Sequence, residues 1–171
     1  MLLKGGLVVL SRLPLRERRF HQFAVRPPRR PEWLMRKGFQ VCTCDRLTVV
    51  NTHLSANRDD DWSSGNRYTA VAQAELAEIS AVLATIDGPV VVTGDFNLPR
   101  QSCALSQFIT SNGLTDAMAG DPRPTYRPSL WPDAPALDHV LFRGLTATAD
   151  LVFQDIELSD HYGVAARLET P

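Results

Sequence analysis

Apolar and polar positions alternate along the chain in blocks that read as short strands separated by turns, with two stretches at helical spacing. Leu7–Leu10 is a short apolar run closed by Ser11-Arg12-Leu13-Pro14, which predicts a buried strand and a turn. The Arg- and Pro-rich stretch over 15–37 reads as loop or irregular edge structure. Residues 39–45 and 47–52 predict two strands joined tightly near Arg46. The polar stretch 57–66, with Asp59, Asp60 and Asp61, predicts an exposed loop. A helix is expected over 68–86, where Val71, Ala74, Ile79, Val82 and Leu83, and less well Leu76, give apolar positions at helical spacing and Gly88-Pro89 stops the helix. Val90-Val91-Val92 has the continuous apolar character of a strand buried on both faces. A second helix is expected over 102–112 with Gly113 as its C-terminal glycine. The Pro-rich residues 119–136 read as turns, and 137–142, 147–153 and 164–168 as strands. Mixed strands and helices of this kind predict an α/β or α+β fold.

Four polar clusters each terminate an apolar run: Asn51-Thr52-His53, Gly94-Asp95-Phe96-Asn97, Asp138-His139 and Ser159-Asp160-His161. Sheet-based folds gather their reactive groups at strand ends, on loops held by a rigid frame. Carboxylates, amides and histidines from four such ends predict a metal-assisted hydrolase.

The segments GLVVLSRLPL, VVNTHLSA, VVVTGDFNLP, ALDHVLF and LSDHYGV occur in that order over residues 6–165. Together they resemble the endonuclease/exonuclease/phosphatase superfamily. The resemblance implies two β-sheets packed as a sandwich and flanked by helices, in a single domain over 1–171. It implies a metal-dependent phosphoester hydrolase using Mg2+ or Mn2+. His161 resembles the catalytic histidine, Asp138 the carboxylate that orients it, and Asp95 the carboxylate that orients or deprotonates the attacking water. Asn97 resembles the amide that steadies the phosphate or the water, and His53 the histidine that donates to a phosphate oxygen. Asp160 resembles a metal ligand, with Asp95 and Asn97 as further candidates; hard oxygen donors suit Mg2+ or Mn2+. His139 is expected to be structural. Implied substrates are DNA, a phospholipid headgroup or a small phosphodiester, and Tyr126 and Trp131 are the candidate substrate contacts.

The family pattern normally begins upstream of GLVVLSRLPL with a segment that supplies an Asn and the principal metal-binding Glu. Glu17 and Glu32 lie after that position and do not take the role. The expectation is therefore a chain that corresponds to the C-terminal two thirds of the domain, lacks its first strands and has a possible N-terminal half as partner. An inactive half-domain is the alternative reading.

Composition adds an asymmetry. The 171 residues carry 18 basic and 19 acidic side chains, a net charge of −1. Residues 1–46 nevertheless net +8 and residues 47–171 net −9. The basic part suggests a solvated loop or a face for phosphates, and the acidic part can attract cations. Cys42 and Cys44 sit on one face of a strand, a spacing that suits buried thiols better than a zinc site. No apolar run is long enough to span a membrane, and the N-terminus lacks the apolar core of a secretion signal, so a cytoplasmic location is expected.

Overall fold

The computed structural model describes residues 6–27 and 35–170. A six-stranded mixed sheet forms its centre, in the order β1-β2-β3-β4-β6-β5. These strands are Arg16–Gln22 (β1), Gly38–Cys44 (β2), Leu47–His53 (β3), Val90–Asp95 (β4), Thr115–Asp116 (β5) and Asp138–Arg143 (β6). Thr146–Val152 (β7) and Gly163–Glu169 (β8) pair as a second, two-stranded sheet. Two helices, Arg67–Leu83 (α1) and Cys103–Ser111 (α2), pack on the large sheet.

Burial follows from the sequence pattern. Val90, Val91 and Val92 are at most 4% exposed, as a central strand covered on both faces requires. Val50, Leu54, Leu76, Ile79, Leu83, Leu105 and Leu141 complete one core with Phe39 and Phe96. Asn66 caps α1 by accepting from Tyr68 N–H, and Ser102 caps α2 by accepting from Leu105 N–H. Arg143 donates to the carbonyls of Leu83, Ile86 and Asn112, which ties both helix ends to β6.

Two expectations fail. Leu7–Leu10 forms no strand, and Val8 and Leu10 are 70% and 90% exposed. Its carbonyls are met by side chains instead, Leu7 by Gln40 and Val8 by Asn51. The edge of the large sheet belongs instead to β1, inside the stretch read as loop or irregular edge structure, and its register with β2 shifts between Arg16 and Arg19. β1 pairs antiparallel with β2 through its backbone, while Arg16, Glu17, Arg18 and Arg19 stay exposed. A charged edge strand of this kind resists pairing with another chain. Arg29 and Arg30, in the same basic stretch, lie outside the described residues.

The register across three strands places the site. β3 and β4 run parallel with His53 opposite Asp95, and β4 and β6 run antiparallel with Asp95 opposite Asp138. Directly opposed residues project to the same face. His53, Asp95 and Asp138 therefore form one row across the sheet.

Candidate functional site

Gly94 makes this row possible. Its φ is +141°, and a Cβ there would lie 1.8 Å from the Thr52 carbonyl oxygen. Only glycine lets β4 approach β3 so closely just before Asp95. Asn97, at φ 49°, then turns the chain away from the strand in a conformation that asparagine tolerates. Its backbone N–H donates to Asp95 Oδ1 (2.8 Å) and its side-chain Nδ2 donates to the Leu54 carbonyl (3.0 Å). Buried Lys37 donates to the same carbonyl. The residues after β3 and after β4 are thus tied together.

His161 arrives from the loop before β8. Its Nδ1 lies 2.6 Å from Asp138 Oδ2 and its Nε2 lies 3.9 Å from Asp95 Oδ2. An ionised carboxylate only accepts, so Nδ1 carries the proton and Nε2 faces Asp95. His53 Nε2 lies 3.5 Å from the same Asp95 oxygen. Two imidazoles and two carboxylates thus meet at one end of the sheet.

The electrostatics of the pair differ. Burial, then the charge of Asp138, pushes the Asp95 carboxyl up to about 6, against the opposing pull of the Asn97 N–H, His161 and Lys37. Burial works to lower the affinity of His161 for its proton. The hydrogen bond and charge of Asp138, with the charges of Asp95 and Asp160, more than offset it and hold the imidazole above its ordinary range. Asp160 itself is exposed; its carboxylate accepts from Ser159 Oγ and its carbonyl from Arg127 N–H.

Other residues fix this geometry without having been singled out in the sequence. Thr125 Oγ1, fully buried, accepts from the N–H groups of Leu137 and Asp138 and so holds the start of β6. Arg127 spreads its guanidinium over the carbonyls of Phe153, Gln154, Ile156 and Ser159, fastening the loop that carries His161. Glu75, on the buried stripe of α1, accepts from Ser55 N–H and Oγ and anchors the chain after His53. A carboxylate among Val71, Ala72, Leu76 and Ile79 was the one signal of such a role in the sequence.

His139 is buried on the opposite side of β6, with Nε2 2.9 Å from the Leu98 carbonyl and Nδ1 3.4 Å from Asp116. That is the structural placement expected for it. Tyr126 pairs its backbone with His161, and its ring stands edge-on to the imidazole at 4.9 Å. A separate cavity of 520 Å³ between α2 and the turn after β5, lined by Arg100, Ile109, Leu114 and Asp116 among others, contains none of His53, Asp95, Asn97, Asp138 and His161.

The oxygen donors at the site are the hard type that Mg2+ or Mn2+ takes. Among the described residues no group of three His, Cys, Asp or Glu side chains converges as a metal cage. Mg2+ is commonly held by one or two carboxylates together with substrate phosphates, and the donors present fit that mode.

The family model of the endonuclease/exonuclease/phosphatase family matches residues 3–161. The chain belongs to that family. Members of the endonuclease/exonuclease/phosphatase family generally use divalent metals. Beta toxin of Staphylococcus aureus superposes with a TM-score of 0.75 at 16% identity, over 92% of this chain and 65% of that one. Sphingomyelinase C of Streptomyces griseocarneus gives 0.64 at 20% identity, over 94% and 66%. The 3'-5' exonuclease of Neisseria meningitidis gives 0.65 at 18% identity, over 93% and 73%. At these identities the likeness is one of fold. This endonuclease/exonuclease/phosphatase family chain thus spans about two thirds of the length of such structural relatives. No curated protein sequence matches it. Among the described residues no helix is long and apolar enough to cross a membrane.

Proposed function

We propose that this chain hydrolyses phosphoesters by direct attack of water, with no covalent intermediate on the protein. The observation that carries the reading is the convergence of His161, clamped by Asp138, on the carboxylate of Asp95. Ionised Asp95 accepts a hydrogen bond from the attacking water and takes its proton as the new P–O bond forms. An acid near 6 is suited to that task at neutral pH, since it is mostly ionised yet still basic. The P–O bond to the leaving alcohol breaks, and protonated His161 gives its Nε2 proton to the departing oxygen. Asp138 keeps the ring oriented and stabilises its charged form. The proton gained by Asp95 then returns to His161 across the short gap between them, which resets the pair.

His53 donates to a phosphoryl oxygen, and Asn97 steadies the water or phosphate beside Asp95. Asp95, Asn97 and Asp160 would hold Mg2+ or Mn2+ together with the substrate phosphate, and the cation supplies Lewis-acid stabilisation of the phosphoryl charge. The relatives include a sphingomyelinase and an exonuclease. Phospholipid headgroups, nucleic acid and small phosphodiesters are accordingly the substrate classes to test.

The test is hydrolysis of bis(p-nitrophenyl) phosphate with Mg2+ or Mn2+, beside His161→Ala. Turnover that disappears in the variant supports the reading. Turnover that persists in His161→Ala, or no turnover by the folded wild-type chain, overturns it.

A further inference from the structure

We infer that the cavity between α2 and the turn after β5 binds a small carboxylate with an apolar body, its anionic head received by the unfilled side of the Arg100 guanidinium. The site is separate from the reacting groups, and the inference does not rest on the phosphoesterase reading.

The cation is built into the cavity wall. The Arg100 side chain is 8% exposed, and its planar fork is engaged on two sides. Nε donates to Asp116 Oδ2 (3.0 Å) and Nη1 to the Asp121 carbonyl (2.6 Å). Nη2 is buried and meets no acceptor among the described residues. An unmet donor on a buried cation is costly, and native structures leave few of them. Asp116 is not free to meet it. Its Oδ1 accepts from Met118 N–H (2.9 Å), and its Oδ2 already serves Arg100 Nε, with His139 Nδ1 3.4 Å away. Asp121 is engaged by Arg123, at 2.6 Å between carboxylate and guanidinium. The acceptor that Nη2 lacks is thus left for a molecule in the cavity.

The cavity defines the rest of that molecule. Its 520 Å³ falls within the range of small-molecule pockets. Ile109, Leu114, Ala119 and Pro122 give it apolar walls, which suit a ring or a short hydrocarbon better than a bare inorganic anion. Charge selects the head group. The two carboxylates at the cavity, Asp116 and Asp121, are each paired with an arginine already, Arg100 and Arg123. Arg100 and Gln101 also sit just before the N-terminus of α2, whose backbone N–H groups add positive potential. A carboxylate makes a stronger hydrogen bond to a guanidinium than a neutral carbonyl does. An ammonium head would leave Nη2 unmet and set two cations side by side.

The experiment is isothermal titration calorimetry of the full chain with naphthoate and with its uncharged amide, in the absence of substrate. Naphthoate should bind at a single site, about tenfold more tightly than the amide. Arg100→Gln should erase that preference. Because Arg100 also pairs with Asp116, a second variant leaves the ion pair intact: Ala119→Trp, on the exposed turn at the rim, fills the cavity and should abolish binding with the thermal midpoint unchanged. His161→Ala should bind naphthoate as the wild type does, since His161 does not line the cavity. Absence of binding at millimolar naphthoate overturns the inference and leaves Nη2 to solvent. Equal affinity for acid and amide overturns it, and so does binding that survives Ala119→Trp, which places the ligand elsewhere, as on the exposed arginines of β1. Each of these results leaves the phosphoesterase reading intact, and loss of turnover on bis(p-nitrophenyl) phosphate leaves this inference intact.

Discussion

Replacing Asp95 by Asn should make the folded chain more stable and inactive at the same time. Burial and the neighbouring charge of Asp138 raise the folded-state acidity constant of Asp95 from an ordinary 3.8 to about 6. The folded state therefore binds more protons than the unfolded chain between roughly pH 4 and pH 6, and stability falls as pH rises through that window. At about 1.36 kcal/mol per pH unit, the ionised carboxylate costs the fold about 3 kcal/mol by pH 7. The side chain is 18% exposed, so solvent screening removes little of this. An amide cannot ionise, and its oxygen can still accept from the Asn97 N–H. Metal-free wild type and Asp95→Asn should unfold in urea with similar free energies near pH 4. They should diverge to about 3 kcal/mol in favour of the variant at pH 7.5, a gain of about 6–12 °C in thermal midpoint. Curves that stay parallel between pH 4 and 8, or a variant less stable at pH 7.5, would refute the account of Asp95 as a strained, ionised acid.

The same carboxylate sets the acid limb of the rate. kcat/KM should decline toward acid pH as Asp95 takes up its proton, readable in a pH profile on bis(p-nitrophenyl) phosphate. Asp138→Asn removes the charged acceptor of the 2.6 Å bond to His161 and should lower kcat by about 10²–10⁴-fold with the circular dichroism spectrum unchanged. Gly94→Ala should cost at least about 3 kcal/mol or leave the chain insoluble, because its Cβ has no room against Thr52 at that φ; refolding yield and urea titration measure it. Thr125→Val strands the buried N–H of Leu137, at about 1–3 kcal/mol, together with the half-buried N–H of Asp138, and should lower turnover through the displaced start of β6.

The sequence was most legible where local pattern and burial agree. β2, β3, β4, β6 and both helices follow from apolar periodicity and caps that operate within a few residues. His53, Asp95, Asn97, Asp138 and His161 stand out as candidates because each lies where an apolar run ends within a recognisable motif. The structure brings His53, Asp95, Asp138 and His161 within 4 Å of a neighbour among them. β1 was missed because RERRFHQ has no apolar face; its strand character comes from pairing with β2, a contact between distant residues. Leu7–Leu10 misled for the converse reason, since apolar residues alone do not create a pairing partner. Thr125 and Arg127 act through backbone atoms of distant segments, and no local spacing announces that.

The row formed by His53, Asp95 and Asp138 has a consequence for how such a protein can change. Adjacent strands sit about 4.8 Å apart whatever the loops do, so the sheet acts as a ruler for these three side chains. The surroundings of that ruler are supplied by segments of another kind, the 57–66 loop with Trp62 and the 125–137 loop with Tyr126 and Trp131. Loops of altered length or composition can be accepted there without resetting the spacing, whereas one residue inserted within β4 would turn Asp95 to the other face of the sheet. Diversification is thus cheap at the rim and forbidden along the strands.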